Sequence, residues 1–170
     1  MNKPFICSHP VLLQRSHSVD NFDCGNEALN SYLKEHAFNN NQNSSSRTYV
    51  AIKDKLVVGY FTLSPGSVSK QEAPERVGKG LGNYPIPIFL IARLAVDKTM
   101  HGKGIGKGLL QHALLKIVFV ANKVGGRAVV VHAKDEKAKS FYEHFYFIPF
   151  PANPQHLYIF LKDVENALKK

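Results

Sequence analysis

Three glycines, Gly102, Gly104 and Gly106, alternate in a short loop between an apolar run and an amphipathic segment. The apolar run, IPIFLIARLAV, spans Ile86–Val96 and stops at Asp97. Glycine lets the backbone approach a bound anion closely, and the first amides of a helix are free donors at the positive end of its dipole. The order of strand, glycine-rich turn and helix start therefore predicts a site for the diphosphate of a cofactor.

The spacing of these glycines argues against two common nucleotide-binding motifs. It is G-x-G-x-G rather than G-x-G-x-x-G, and it lies mid-chain, so a Rossmann dinucleotide site fits poorly. The chain contains no G-x-x-x-x-G-K-[ST] and no G-x-S-x-G sequence, which argues against a Walker phosphate loop and an elbow-type serine hydrolase. The eight histidines are scattered, and neither Cys7 nor Cys24 belongs to a C-x-x-C pair, so we expect no metal site.

The overall composition points to a globular protein with a polyanionic partner. The 170 residues carry a formal net charge of +9, which favours nucleic acid, an acidic protein or a nucleotide cofactor, with a generic basic surface as the alternative. The sequence contains no apolar stretch of membrane-spanning length and no signal-peptide pattern. With two cysteines we expect no disulfide framework, but a cytoplasmic protein with reduced thiols.

The elements that must position the glycine loop follow from the periodicity of the apolar residues. Strands are predicted at Phe5–Leu13, Arg47–Lys53, Leu56–Ser64, Ile86–Val96, Arg127–Ala133, Phe145–Phe150 and Leu157–Leu161. Helices are predicted at Glu27–Phe38, from about Gly104 to Lys123, from the cap Asp135 to about His144, and weakly at Asp163–Lys170. We expect a mobile polar loop at Asn39–Ser46 and a long loop at Pro65–Pro85. A strand meander followed by alternating helices and strands predicts one α/β domain, residues 1–170, with a mixed sheet.

The residues around the glycines resemble the signature of the GCN5-related N-acetyltransferase (GNAT) family, a strand followed by R/Q-x-x-G-x-G/A at a helix start. Here that slot reads His101-Gly102-Lys103-Gly104-Ile105-Gly106. His101 replaces the usual Arg or Gln, which weakens one side-chain contact but leaves the cradle of amides. The resemblance implies a single GNAT-type α/β domain in which helices flank a mixed, mostly antiparallel sheet.

Further segments resemble one subgroup of this family, the acetyltransferase toxins of type II toxin–antitoxin pairs, which acetylate aminoacyl-tRNA. They are FDCGNEALNSYL, SRTYVAI, VVGYFTLSPGSV, IPIFLIARLAVD, HGKGIGKGLL and VVVHAKDEKAKSFYEHFYF, and together they cover most of Phe22–Phe147. The glycine motif by itself indicates only the superfamily. The combination of F-x-C-G-N, A-R-L-A-V-D and S-F-Y-E-H-F indicates the subgroup.

Tyr142, in the segment S-F-Y-E-H-F, is the residue to which the resemblance assigns catalysis. In the family, the tyrosine at this position faces the cofactor sulfur and protonates the leaving thiolate. A phenol with a pKa of about 10 stays protonated at neutral pH and can donate that proton. Without the resemblance, an aromatic residue at helical spacing is more often part of a core. Tyr146 stands where the family usually has glycine, and we expect a structural role for it.

The cofactor that the resemblance implies is acetyl-CoA, bound by two adjoining segments. The backbone of Leu94, Ala95 and Val96 is expected to pair with the pantetheine arm, and the amides of Gly102, Lys103, Gly104, Ile105, Gly106 and Lys107 to hold the pyrophosphate. Lys103 and Lys107 would add positive charge near the phosphates; the alternative is that both are solvated lysines of a helix start. Ser140 is expected near the cofactor, beside Tyr142.

A general base is harder to assign, because the strand Ile88–Val96 contains no acidic residue and its only charge is Arg93. Many acetyltransferases carry a carboxylate there. A lysine amine, with a pKa of about 10.4, would need a base, whereas an α-amine with a pKa of about 7.7–8 is partly neutral at pH 7. We therefore expect an α-amine acceptor whose proton goes to water or a backbone carbonyl. His132 and His144 are alternative bases, although each is more often structural or solvent-facing.

Four basic residues are candidate contacts for the acceptor end of tRNA: Arg47, Arg93, Arg76 and Lys79. A charge on an apolar strand needs a partner or a water-filled groove. For Arg47 and Arg93 an intramolecular salt bridge is the alternative.

The resemblance and these residues together predict an acetyl-CoA-dependent N-acetyltransferase toxin that modifies the α-amine of aminoacyl-tRNA and blocks translation. The family also implies a homodimer and neutralisation by a small antitoxin, commonly of the ribbon-helix-helix type. Two alternatives stay open. One is a protein or small-amine N-acetyltransferase, and the other is a catalytically silent module that binds tRNA or a protein.

Overall fold

The computed structural model of the chain describes residues 7–169. Its strands are β1 (Val11–Leu12), β2 (Arg47–Lys53), β3 (Leu56–Val68), β4 (Ile86–Val96), β5 (Ala128–His132), β6 (Ile148–Pro149) and β7 (His156–Phe160). Its helices are α1 (Glu27–Ser31), α2 (Ala37–Gln42), α3 (Glu75–Gly78), α4 (Ile105–Val124), α5 (Glu136–His144) and α6 (Leu161–Leu168). A π-helical turn at Tyr32–His36 joins α1 to α2, and a 3-10 turn at Lys98–Met100 follows β4.

The strands form a mixed sheet in the order β1-β2-β3-β4-β5-β7-β6. The pairs β1–β2, β2–β3, β5–β7 and β6–β7 are antiparallel, and β4–β5 is parallel. A parallel pair needs a long crossover, and α4 supplies it between β4 and β5. The predicted α/β fold with a mixed sheet is confirmed.

The internal contacts of the chain divide it into two compact units. Unit 1 comprises Met1–Ser64 and Ala92–Ala113, and unit 2 comprises Pro65–Ile91 and Leu114–Lys170. The strands β3 and β4 and the helix α4 each contribute residues to both units. Each unit has its own hydrophobic core, so we describe them in turn.

In unit 1, the segment from α1 to α2 packs on the strand meander. Leu33 and Tyr32 belong to the same buried cluster as Val50 and Tyr60 of β2 and β3. The Tyr60 hydroxyl, deep in this cluster, donates a hydrogen bond to the carbonyl of Leu29 over 2.8 Å. This bond satisfies a buried phenol and ties the helical segment to the sheet.

A glycine sets how closely α4 approaches the sheet in unit 1. A Cβ atom on Gly59 of β3 would lie 2.9 Å from Cδ1 of Leu109 and 3.4 Å from the carbonyl oxygen of Ala95. Such a contact is closer than van der Waals packing allows. The start of α4 therefore lies against β3 and β4 because position 59 has no side chain.

In unit 2, β5 and β7 and the start of β4 are covered by a second cluster that includes Val77, Ile86, Val130 and Phe160. The side chain of Arg127, just before β5, donates from Nε to the carbonyl of Val77 over 3.1 Å. This bond holds the short helix α3 against the strands.

Two of the predicted loops are wrong in part. The helix does not stop before Asn39 but continues to Gln42, because the buried Asn41 side chain accepts a hydrogen bond from the Thr48 amide over 2.8 Å. In the segment Pro65–Pro85, β3 continues to Val68 and α3 forms at Glu75–Gly78. Proline is tolerated at position 65 because the pairing of β3 with β2 ends before it, at Leu63.

The predicted strands at the two ends of the chain are shorter than expected. The first covers only Val11–Leu12 among the described residues, and the positions before Cys7 lie outside them. The strand predicted at Phe145–Phe150 is reduced to Ile148–Pro149, since its first residues terminate α5 instead. The last helix is Leu161–Leu168, slightly earlier than the predicted Asp163–Lys170.

None of the helices in residues 7–169 is long and apolar enough to cross a membrane. In the same part of the chain, no group of three or more His, Cys, Asp or Glu side chains is arranged to hold a metal ion.

Candidate active site

The turn that leads from β4 into the glycine loop is organised by Asp97. Its carboxylate accepts hydrogen bonds from the Thr99 amide and hydroxyl over 2.9 and 2.7 Å, and from the Asp23 amide over 3.0 Å. Burial raises the pKa of Asp97, but these hydrogen bonds outweigh it and hold the pKa below its usual range. The residue is therefore charged at neutral pH and caps the 3-10 turn.

The glycine loop itself has the geometry of an anion cradle. Gly102 and Gly104 have φ angles of +74° and +81°, and the space that a Cβ atom would fill at either position has no atom within 4 Å. The amide of Gly108 donates to the carbonyl of Gly104 over 3.1 Å, which makes Gly104 the residue that caps α4. The three amides that follow the cap, at positions 105–107, are then left without helical acceptors. These residues fit the diphosphate of a nucleotide cofactor.

The predicted cofactor lysines and the strand end adjoin this cradle along the chain. Lys103 lies with Nζ 4.0 Å from the sulfur of Met100, and Lys107 is exposed in the first turn of α4. Leu94 and Val96 are half-buried at the end of β4, and Ala95 between them is buried in the unit 1 core.

His101 has a role that the sequence did not indicate. Its Nε2 atom lies 2.7 Å from the carbonyl oxygen of Val96, the last residue of β4. This contact therefore holds the start of the glycine loop against the end of β4. The sequence marks position 101 as unusual, because the family has Arg or Gln there. A histidine at this position does not by itself indicate that its ring contacts the carbonyl of Val96.

Tyr142 lies on α5, which begins as predicted with Asp135 accepting a hydrogen bond from the Ala138 amide over 2.8 Å. The Tyr142 side chain is only 7% exposed and packs against the rings of Phe141 and Phe147, at centroid distances of 5.2 and 5.4 Å. Within residues 7–169 its hydroxyl has no hydrogen-bond partner. Burial raises the pKa of Tyr142 above its usual value, so the phenol holds its proton throughout the physiological range.

Ser140 is exposed on the same helix. It lies two residues before Tyr142, and residues at that separation do not share a helix face. The side chains of Ser140 and Tyr142 thus leave α5 in different directions.

The two histidines considered as alternative bases occupy different surroundings. His132 of β5 stacks on His156, its partner on β7, with ring centroids 3.8 Å apart and planes 16° from parallel. Burial lowers the pKa of His132, and the charge of His156 lowers it further. His144 is exposed at the end of α5 and places its ring edge-on against Phe145.

In unit 1, both predicted tRNA-contacting arginines make contacts within the chain. Arg47 donates from Nη1 to the carbonyl of Asn41 over 2.7 Å. The guanidinium of Arg93 lies 3.6 Å from the centre of the Tyr32 ring, a cation–π geometry. The charge on the apolar strand β4 is thus accommodated by an aromatic face rather than by a carboxylate.

In unit 2, Arg76 forms a two-pronged ion pair with Asp163, with N–O distances of 2.7 and 2.9 Å. Its guanidinium also lies 4.5 Å from the centre of the Phe160 ring. Lys79 differs, because its carbonyl accepts a hydrogen bond from Arg127 while its side chain is exposed.

Comparisons with known proteins agree with this geometry. Residues 44–149 match the family of acetyltransferase (GNAT) domains. The tRNA-acetylating toxin of Mycobacterium tuberculosis is 38% identical over 156 residues, which cover 92% of this chain and 93% of that protein.

Two of the similar solved structures contain the protein AtaT. AtaT complexed with acetyl-methionyl-tRNAfMet superposes with a TM-score of 0.86 and 29% identity, over 94% of this chain and 98% of that one. A tyrosine-to-phenylalanine mutant of AtaT, bound to the C-terminus of the antitoxin AtaR and to acetyl-CoA, gives a TM-score of 0.84 and 27% identity, over 98% of this chain and 100% of the other. On the strength of its glycine cradle, its sheet and these relatives, the chain belongs to the GNAT acetyltransferase family.

Proposed function

We propose that this protein is a toxin that transfers the acetyl group of acetyl-CoA to the α-amine of an aminoacyl-tRNA and thereby blocks translation. The observation that carries the proposal is the open cradle at Gly102 and Gly104, at the start of α4, in a chain 38% identical to a tRNA-acetylating toxin. The complex of AtaT with acetyl-methionyl-tRNAfMet supports the same acceptor class.

In this proposal the cofactor is held by backbone groups of unit 1. Acetyl-CoA supplies an acetyl group activated as a thioester. The amides of Gly102, Lys103, Gly104, Ile105, Gly106 and Lys107 bind its pyrophosphate, and the lysines add charge beside them. The backbone at Leu94, Ala95 and Val96 binds the pantetheine arm, with one lone pair of the Val96 carbonyl already used by His101. Ser140 remains a proposed contact.

Tyr142 is the proposed general acid. As the amine nitrogen bonds to the acetyl carbon and the carbon–sulfur bond breaks, the phenol donates its proton to the departing sulfur. Burial keeps the phenol protonated, and the absence of a competing acceptor among residues 7–169 leaves its proton available for transfer. A protonated donor at this point avoids the release of a bare thiolate.

The acceptor amine does not need a strong general base from the protein. The described β4 residues include no carboxylate, and an aminoacyl α-amine is partly neutral at pH 7. Its proton goes to water or to a backbone carbonyl. His132 is a poor candidate for the base because its ring is stacked on His156.

The acceptor end of tRNA is proposed to contact Arg47, Arg93, Arg76 and Lys79. Arg47 and Lys79 are exposed and offer charge directly to phosphates. Arg93 contacts the Tyr32 ring and Arg76 pairs with Asp163. Each of them either adds to the positive potential that attracts tRNA or leaves its present contact to bind a phosphate. The net charge of +9 supports strong, salt-dependent binding to a polyanion.

The partners proposed for the whole protein follow from the toxin assignment. They are a second copy of the chain, forming a homodimer, and an antitoxin of ribbon-helix-helix type; AtaT is bound by the C-terminus of the antitoxin AtaR. Because translation takes place in the cytoplasm, the proposal places the protein there.

The test is the transfer of labelled acetyl from acetyl-CoA to a pool of aminoacylated tRNA, beside the same pool after deacylation and beside a protein extract. The proposal predicts label on aminoacylated tRNA only. Label on protein amines, with none on aminoacylated tRNA, would contradict the proposal and indicate a protein acetyltransferase. Absence of transfer, with no acetyl-CoA binding by calorimetry, would indicate a binding module.

A further inference from the structure

The outer side of α4 exposes four large apolar side chains in unit 2. Phe119 and Val124 are 66% and 73% exposed, and Leu115 and Val120 are 44% and 42% exposed. They form two pairs with i, i+4 spacing, Leu115–Phe119 and Val120–Val124, in adjacent rows of the helix surface. We call these four residues the α4 patch.

The patch is not an extension of the core. The core-facing side of the same helix is formed by other residues, among them Ile117, which is 2% exposed. Transfer of a large apolar side chain out of water is favourable, so four such side chains exposed on one short stretch are unfavourable. A cluster of this kind on a helix indicates an interaction surface.

The charges around the patch define its partner. Lys123 lies between the two apolar rows, and its ammonium lies 5.0 Å from the centre of the Phe119 ring. The sequence of α4, IGKGLLQHALLKIVFVANKV, contains no acidic residue. A complementary surface therefore needs apolar side chains flanked by carboxylates.

A second copy of this helix does not meet that need. A twofold pairing of α4 with a second copy would offer Lys123 no carboxylate, because the helix contains no acidic residue. In a parallel twofold pairing Lys123 would also approach its own copy. Like charges at close range oppose that arrangement.

We propose that the α4 patch is the docking surface for an acidic amphipathic helix of a partner protein. The partner presents apolar residues at i, i+3 or i+4 and i+7 to Phe119 and its neighbours, and a glutamate or aspartate residue to Lys123. The identity of the partner rests on the proposed function, because a toxin of this kind has an antitoxin as its partner.

The test uses the full-length protein and a synthetic, fluorescently labelled helical peptide of about 15–20 residues, with a leucine stripe flanked by glutamates. A second peptide has lysine in place of every glutamate. The variants are Phe119→Ser and Lys123→Glu, and the matched control is Ile148→Ser, which alters an exposed apolar residue on β6 of the same unit. Since all three positions are exposed, thermal unfolding should be nearly unchanged and serves as the folding check.

The proposal predicts that Phe119→Ser weakens binding of the glutamate peptide at least tenfold, which is about 1.4 kcal/mol, while Ile148→Ser does not. Lys123→Glu should weaken the glutamate peptide and strengthen the lysine peptide. Equal affinity of the wild type and Phe119→Ser for the glutamate peptide would overturn the proposal. It would also be overturned if sedimentation showed that Phe119→Ser turns a dimer into a monomer, because a second copy would then cover the patch. Acetyl transfer without peptide reports separately on the proposed function.

Discussion

The amide of Phe147 donates to the carbonyl of Tyr142 over 3.1 Å, and the rings of the same two residues pack with centroids 5.4 Å apart. A second hydrogen bond, from the Tyr146 amide to the Glu143 carbonyl over 3.0 Å, completes a Schellman motif at the end of α5. The aromatic contact is the hydrophobic pair that usually accompanies this motif. The end of the helix therefore fixes the backbone and the ring of the proposed acid together.

Replacement of Tyr142 with phenylalanine should separate chemistry from structure. The hydroxyl makes no hydrogen bond within residues 7–169, so Tyr142→Phe should leave the free energy of unfolding nearly unchanged and keep acetyl-CoA affinity. Loss of a general acid typically lowers the rate by about 10²–10⁴-fold. The measurement is kcat for acetyl transfer to aminoacylated tRNA, beside urea unfolding of the same sample.

Tyr146→Phe is the matched control, because Tyr146 lies four residues later and its side chain is 83% exposed. It should transfer acetyl at the wild-type rate. A Tyr142→Phe protein with an unchanged kcat would remove the phenol from the mechanism.

Tyr146 should lower the free energy of unfolding relative to a glycine at the same position. Tyr146 has a φ of 71°, in the left-handed region, where a side chain costs about 1–2 kcal/mol and glycine costs nothing. Since glycine also loses more chain entropy on folding, Tyr146→Gly should raise the free energy of unfolding by about 1 kcal/mol in urea denaturation. Tyr146→Ala, which keeps a Cβ atom, should give a much smaller gain. A lower stability for the glycine variant would show that the ring contributes a contact of its own.

The cradle can be tested by two glycine substitutions on the same turn of α4. Gly104→Ala puts a Cβ atom at a φ of +81° and into the space assigned to the anion, so acetyl-CoA affinity should fall at least tenfold. Gly108→Ala meets nothing within 4 Å and lies in a helical conformation. It should keep the affinity and stabilise the helix by about 1 kcal/mol. The measurement is calorimetric titration with acetyl-CoA, and equal affinities of the two variants would contradict the cradle.

The stacked histidines predict a specific pH dependence of stability. Because burial and His156 lower the pKa of His132 below its usual value of about 6.5, the unfolded chain binds a proton more readily than the folded one. The stabilising contribution is therefore complete above about pH 6.5 and is lost as the pH falls through the pKa of the folded state. Unfolding free energies measured between pH 7.5 and 5.5 should decrease less steeply in His132→Gln than in the wild type. His144→Gln, at a ring that packs against Phe145 rather than on another histidine, should keep the wild-type slope; an identical slope in His132→Gln would rule out the pair as the cause.

Much of the fold was predictable because its strongest signals are local. The helix α5 begins at Asp135 and ends at His144 as expected, since an aspartate cap and a helical period are short-range features. The hairpin between β2 and β3 was likewise predictable, with Asp54 and Lys55 at φ angles of 50° and 67°. The continuation of the helix to Gln42 was not predictable, because it depends on a bond from the Thr48 amide to a buried Asn41 side chain.

The candidate site also has features that local sequence predicts and features that depend on tertiary contacts. The cradle at Gly102 and Gly104 follows from glycine spacing after a strand, which is a sequence-local pattern. The engagement of Arg76 with Asp163, 87 positions away, depends on tertiary packing and leaves no trace in the pattern. The contact of His101 with Val96 spans only five residues, yet the side chain type does not specify which carbonyl it meets.

The central claim is that the acceptor is the α-amine of an aminoacyl-tRNA, and the most direct measurement compares one tRNA in two forms. In the first form the amino acid carries a free α-amine, and in the second the same amino acid carries a hydroxyl in its place. After incubation with acetyl-CoA and nuclease digestion, mass spectrometry identifies the 3′-terminal aminoacyl-adenosine. Our account predicts an added acetyl group on the amine form only, absent from the reaction with Tyr142→Phe over the same time. Acetylation of both forms, or of neither while protein amines are modified, would contradict it.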